Sequence, residues 1–221
     1  MEAKFWQDRW ANKKIGFHEP EVNPKLATYF YALDLASGSR IFVPLCGMTC
    51  DIGWLARQGH DVVGIELVES AVVGLFEALD VIPSITQHRH LTHYYVQYAG
   101  RNIDIWVGDI LEMTIRDIGP VDAIYDRAAL VALPDTPPQY LRSRYTQQLI
   151  DLTNSARQLV ITFDFDQERR PGPPFVITTE QLQTYYGAHY QLDCLEDIYL
   201  EALLRDGTPG RSLVWLLKKH G

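Results

Sequence analysis

The stretch Arg40-Ile41-Phe42-Val43-Pro44-Leu45-Cys46-Gly47, with Ile52, Leu55 and Ala56 following at helical spacing, decides the fold. A short apolar run that ends at a glycine and gives way to a periodic segment reads as a buried strand, a tight turn and a helix. Thr49 is placed to cap that helix and Gln58-Gly59 to end it. The unit then repeats. His60–Glu66 is a second apolar strand, and Ser70–Leu79 is a helix carrying Val72, Leu75, Phe76 and Leu79, closed by Pro83.

Further along, Ile103–Asp109, Val121–Asp126 and Gln158–Asp164 read as strands. Leu141, Tyr145, Leu149 and Leu152 mark a helix opened by Pro137-Pro138, and Thr179–Tyr186 a later one. Tyr190–Ile198 and Ser212–Lys218 close the chain as two strands joined around Asp206-Gly207. Ahead of the first strand, residues 1–14 predict a helix with Phe5, Trp6 and Trp10 on one face. Val22–Leu33 predicts another, with Leu26, Phe30 and Leu33 inward. Strands alternating with helices predict an α/β, doubly wound, mostly parallel seven-stranded sheet with helices on both faces. The polar, His- and Tyr-rich stretch from Ser84 to Asn102 reads as a short strand and a surface loop.

The bulk properties fit one domain over residues 1–221. The chain is 47% hydrophobic and 22% charged, as globular proteins are. No apolar run approaches the roughly 20 residues that span a bilayer, and no apolar segment follows Met-Glu-Ala-Lys-Phe-Trp to make a secretory signal. A net charge of −8 without a basic stripe argues against nucleic acid as a partner. Cys46, Cys50 and Cys194 are too few for a disulfide framework and suit a reducing cytoplasm. A cytoplasmic monomer acting on a small-molecule acceptor is expected, away from membranes.

In an open α/β sheet, ligands bind beyond the carboxyl ends of the strands. Those ends carry Leu45-Cys46-Gly47, Glu66, Asp109, Asp126-Arg127 and Asp164-Asp166. Gly47 lets backbone approach a ligand, or simply meets the needs of a tight turn. Glu66 is placed to accept from both hydroxyls of a ribose, or to sit as a solvated acid before a helix. Together they point to an adenosyl cofactor. A dinucleotide turn needs three glycines to seat its pyrophosphate, and this turn has one. That favours S-adenosylmethionine (SAM) over NAD. Asp109 can accept from the adenine amino group or form its own turn. Arg127 can hold a carboxylate or oxyanion with its fork, or pair internally with Asp126 or Asp122. His88, His90 and His93 invite a metal reading but lack a fixed carboxylate nearby, so a solvated loop is the stronger reading. No metal and no nucleophilic triad are predicted, because methyl transfer to a soft nucleophile depends mainly on placement.

Four runs carry a resemblance: Phe5-Trp6 through Trp10 and Gly16-Phe17-His18; Phe42-Val-Pro-Leu-Cys-Gly47; Asp126-Arg-Ala-Ala-Leu-Val-Ala132; and Pro171-Gly-Pro-Pro-Phe175. Nearly end to end, the chain resembles the thiopurine S-methyltransferase family, its bacterial branch in particular. The resemblance implies a Rossmann-like SAM-dependent methyltransferase fold, with residues 1–35 as a helical cap over the cofactor. It implies that Trp10, Leu45, Glu66 and Arg127 touch SAM, with the backbone at Asp109-Ile110 near the adenine. Trp6 and Phe17 would line the same pocket, Phe17 and Arg127 on the substrate side. The implied acceptor is a thiol or thiopurine sulfur, or a selenium or tellurium compound. An NAD-dependent oxidoreductase and a non-catalytic SAM-binding regulator are the competing readings. One departure stands out: Met48 follows Cys46-Gly47 where the family usually carries Lys.

Overall fold

A computed structural model describes residues 3–221. The chain runs α1 (Ala3–Ala11), α2 (Pro24–Tyr29), β1 (Arg40–Pro44), α3 (Asp51–Arg57), β2 (Asp61–Glu66), α4 (Glu69–Ala78), β3 (Ser84–His88), β4 (Leu91–Tyr98), β5 (Arg101–Val107) and α5 (Ile115–Ile118). It continues through β6 (Ala123–Arg127), α6 (Leu141–Thr153), β7 (Arg157–Asp164), α7 (Thr179–Tyr186), β8 (Tyr190–Leu200) and β9 (Gly210–Lys219). Contacts divide it into two compact units, one ending at Ile124 and one beginning at Tyr125.

In the first unit the strand order is β3-β4-β5-β2-β1, with Ala123 and Ile124 of β6 beside β1. The pairs β1–β2, β1–β6 and β2–β5 are parallel, and β3–β4 and β4–β5 are antiparallel. Ile41, Phe42, Val62, Val63, Ile103 and Ile105 are buried, which is why β1, β2 and β5 read as near-continuous apolar runs. In the second unit β7, β9 and β8 follow in that order, both pairs antiparallel, with Leu159, Val160, Val214 and Leu217 in the core.

The α/β class is as predicted, with helices flanking the strands, but the described residues form nine strands and the pairing is mixed rather than mostly parallel. The two additional strands are β3 and β4, within the stretch expected to hold one short strand and a loop. Every residue of β3 is exposed, so it carries no apolar face; backbone pairing with β4 makes it a strand. Arg89 turns the pair with φ 52°. The N-terminal helix ends at Ala11, short of the predicted residue 14, with residues 1 and 2 outside the described residues, and the second breaks into α2 and a 3-10 turn at Phe30–Leu33. Pro137-Pro138 does not open α6, which starts at Leu141 after Tyr140 in a left-handed conformation.

Two packing details have energetic consequences. In β2, a Cβ on Gly64 would lie 2.9 Å from Ile105 Cδ1, 3.1 Å from Cys46 Sγ and 3.3 Å from the Val43 carbonyl. Glycine here is the space into which Cys46 packs. In the second unit, Asp126 is wholly buried, and its carboxylate accepts from the Leu130 amide (3.0 Å) and the Tyr145 hydroxyl (2.7 Å). Burial pushes the Asp126 carboxyl up to about 6, against the opposing pull of those hydrogen bonds.

Gly64→Ala should lower stability by about 1–3 kcal/mol through overpacking. Cys46→Ala in the same chain should restore part of that loss; urea midpoints read both, and an unchanged midpoint for Gly64→Ala would show the space to be larger than the geometry says. Asp126 makes a pH prediction. Its folded value lies above the ordinary 3.9 or so of an unfolded Asp, so its contribution to stability is present below that lower value and lost as pH rises through about 6. Asp126→Asn cannot titrate. Its stability relative to the parent should therefore rise between about pH 4 and 6.5, by up to about 3 kcal/mol. A pH-independent difference would contradict the assignment.

Candidate cofactor site

The turn after β1 is held in an uncommon conformation. Leu45 and Gly47 both have positive φ, 47° and 55°. For Leu45 that region costs roughly 1–2 kcal/mol, because its Cβ crowds the following carbonyl. Two amides fix the turn against the end of β2: Cys46 N–H donates to the Ile65 carbonyl (3.0 Å), and Gly47 N–H donates to Glu66 Oε2 (2.9 Å).

Glu66 has a second grip. Its Oε1 accepts from the Val68 amide (2.9 Å), and its main-chain carbonyl accepts from Gly108 N–H at the end of β5 (2.9 Å). Only 7% of the residue is exposed. Burial raises its carboxyl above the usual range, while the amides of Val68, Gly47 and Leu67 pull it back. The sequence suggested a ribose acceptor. In the structure Glu66 also closes the turns after β1 and β2. Each carboxylate oxygen has two lone-pair directions, so one bond to each leaves both able to accept again.

The aromatic N-terminal segment meets this turn. A Cβ on Gly47 would stand 3.2 Å from the indole of Trp10, so glycine lets the two pack closely. Trp10 packs edge-on against Phe17 at 5.7 Å, Phe17 against Trp6 at 5.7 Å, and Trp6 against Phe5 at 5.2 Å. Thus Trp6, Trp10 and Phe17 form one cluster that reaches Gly47. Met48 turns toward α4: its Sδ would lie 3.2 Å from a Cβ on Gly74. Asp109 forms its own turn, accepting from Leu111 N–H (2.9 Å), and Ile110 beside it is buried.

In the second unit, Arg127 ends β6 half-exposed, between buried Asp126 and Ala129. Two acids lie close to it in the sequence. Asp126 holds Leu130 and Tyr145, and Asp122 accepts from the Arg40 amide (2.7 Å). The Pro171–Phe175 run is tied back to the segment after Arg127, since Phe175 N–H donates to the Val131 carbonyl (2.7 Å).

The histidines are placed differently than expected. His93 Nε2 lies 2.9 Å from Asp104 Oδ1 and its ring stacks on Trp106 at 4.3 Å, so a fixed carboxylate is at hand after all. Arg40 shares that carboxylate at 3.1 Å, and no group among the described residues is arranged to hold a metal. Sequence reading missed the roles of Gly64, Gly74 and Tyr145. The glycines fall where β2 and α4 would otherwise prefer a side chain, a signal that was available. Tyr145 looked like one more apolar position on α6.

Comparison with known proteins shows the family. A protein-family profile described as Thiopurine S-methyltransferase matches residues 1–211. The thiopurine S-methyltransferase of Psychrobacter cryohalolentis is 47% identical over 225 residues, covering 99% of this chain and 100% of that protein. That of Teredinibacter turnerae is 44% identical over 220 residues, covering 100% and 99%. Among solved structures, magnesium protoporphyrin IX methyltransferase from Synechocystis with bound SAH superposes with a TM-score of 0.65 at 12% identity, covering 98% of this chain and 100% of that one. A TehB-like SAM-dependent methyltransferase from Corynebacterium glutamicum gives 0.57 at 15%, covering 99% and 98%. At such identities the structural likeness is one of fold. The profile and the two relatives span the βα turns, the aromatic segment and the Arg127 run together, and the chain belongs to the thiopurine S-methyltransferase family.

Proposed function

We propose that the chain, as one domain over residues 1–221, transfers the methyl group of SAM to a soft nucleophile on a small molecule, with a thiopurine or other thiol sulfur as the acceptor class. The observation that carries this reading is the Glu66 carboxylate, bonded to Gly47 and Val68 and able to accept twice more, on a turn that Trp10 covers. Family membership makes the reaction SAM-dependent methyl transfer. Selenium and tellurium compounds belong to the same soft class, and we include them as acceptors. We also infer a cytoplasmic monomer that binds neither nucleic acid nor membrane, from the net charge of −8, the three free cysteines and the absence of any helix in the described residues long and apolar enough to cross a bilayer.

The residues divide the work by chemistry. Glu66 accepts from the ribose hydroxyls. Leu45 and Gly47 present turn backbone to the cofactor, Asp109 and Ile110 bound the adenine, and Trp6 and Trp10 supply aromatic faces that favour a cation. Phe17 and Arg127 serve the acceptor, Arg127 also being suited to the carboxylate of SAM. Residues 1–35 act as a cap that keeps water from the reacting atoms. Bound SAM supplies an activated methyl on a sulfonium. The protein's part is placement and exclusion of water, with reacting atoms brought to about 3–3.5 Å. The single-glycine turn gives an NAD pyrophosphate no cradle, which disfavours the oxidoreductase reading.

Glu66→Ala should weaken SAM binding by about 1.5–3 kcal/mol in calorimetry, since it removes charge-assisted hydrogen bonds; equal affinity would remove Glu66 from the cofactor site. SAM consumption should be seen with thiopurine and selenium or tellurium acceptors, and Arg127→Ala should depress it strongly. SAM binding without turnover on any of these acceptors would favour a regulator instead.

A further inference from the structure

The run Asp126–Ala132 holds Arg127, yet most of it is buried. Asp126 and the residues from Ala129 through Leu133 are buried, and only Arg127 and Ala128 break the surface between them. Ala128 has φ 61°, in the left-handed region that a side chain adopts at a cost, so something must hold the backbone there. On one side the holder is Asp126. Its two carboxylate oxygens reach across the turn to the Leu130 amide and up to the Tyr145 hydroxyl on α6. On the other, Arg142 Nε donates to the Leu133 carbonyl (3.0 Å) and Phe175 N–H to the Val131 carbonyl.

A carboxylate with no exposed surface is an expensive way to fill a core. An apolar residue of similar size would pack without the desolvation cost. The site is also not optimised as a polar network, because the fully buried hydroxyl of Tyr186, whose pKa burial and then the charge of Asp126 push up, has no hydrogen-bond partner. We propose that Asp126 and Tyr145 are positioning residues for Arg127: the Tyr145–Asp126–Leu130 chain of hydrogen bonds fixes the left-handed turn at Ala128 and thereby the direction in which the guanidinium is presented to its anion. This rests on the reading of Arg127 as a site residue.

The two side chains act through geometry, and substitution can separate geometry from charge. Asparagine at 126 can keep both bonds, its Oδ1 accepting from Leu130 N–H and its Nδ2 donating to the Tyr145 oxygen. Alanine keeps neither. Tyr145→Phe keeps the buried ring and removes only the hydroxyl.

The test is steady-state kinetics on the full chain, with SAM and a thiopurine as substrates, and SAH calorimetry on the same proteins as a readout that needs no turnover. The set is the parent, Arg127→Ala, Tyr145→Phe, Asp126→Ala, Asp126→Asn and the double variant Arg127→Ala/Tyr145→Phe. The expected result is that the KM or SAH affinity worsened by Arg127→Ala is also worsened about tenfold by Tyr145→Phe and Asp126→Ala, with kcat altered less than about threefold. Asp126→Asn should stay within about twofold of the parent, and Tyr145→Phe should add less than about twofold once Arg127 is gone. The proposal is overturned if Tyr145→Phe leaves that parameter unchanged, or multiplies the loss equally with and without Arg127. It is overturned as well if Arg127→Ala itself changes neither KM nor SAH affinity. A parent chain that binds SAH but methylates no acceptor overturns the methyl-transfer reading instead, and the calorimetric cycle then still decides the positioning role.

Discussion

One carboxylate ties the first unit of this protein together at its functional end. Glu66 takes the Gly47 amide with one oxygen, the Val68 amide with the other, and the Gly108 amide with its main-chain carbonyl. Three successive parallel strands, β1, β2 and β5, thus have the segments beyond their carboxyl ends bonded to a single residue. The strain at Leu45 persists because these bonds overdetermine the turn. Burial raises the Glu66 carboxyl above its ordinary range, and the amide bonds to the carboxylate oppose that shift without cancelling it. Protonation would turn one of the two remaining acceptor directions of this carboxyl into a donor.

The parts of the fold that were legible in the sequence are those whose apolar pattern is imposed by burial. β1 and β2 are buried along almost their whole length, and their runs of Ile, Val and Phe follow directly, while in β5 Ile103, Ile105 and Trp106 carry the signal. β3 lies at the other extreme: Ser84-Ile85-Thr86-Gln87-His88 is exposed throughout, and its pairing with β4 is a backbone matter that side-chain patterning does not encode. β4 buries only Leu91 and Tyr94, too few to set a period of two. The second helix was drawn too long because Leu26, Phe30 and Leu33 keep helical spacing through a change from α to 3-10 geometry.

The candidate site was legible in its positions and less so in its bonding. Strand ends announce themselves by an acid after an apolar run, so Glu66, Asp109 and Asp126-Arg127 could be found. Their partners are distant in sequence and chosen by packing. Nothing in Tyr145 as a residue of α6 says that its hydroxyl seeks Asp126, and nothing in Asp109 says whether its oxygen faces a ligand or the Leu111 amide. Gly64 shows the converse case, where a residue with no side chain records the positions of others: a Cβ there would crowd Ile105 Cδ1 first and Cys46 Sγ next.

Met48 gives the last step. Its thioether lies over Gly74, so the residue after the Cys46-Gly47 turn is committed to packing on α4, and Gly74 is matched to it as Gly64 is to Cys46. The resemblance to the family leads one to expect a Lys here, and Met48 brings an uncharged thioether instead. Among the residues proposed for cofactor and acceptor, Arg127 is then the one cation. That raises the importance of how Arg127 is aimed. It also gives the buried Asp126–Tyr145 pair, costly as packing, a physical reason to be there.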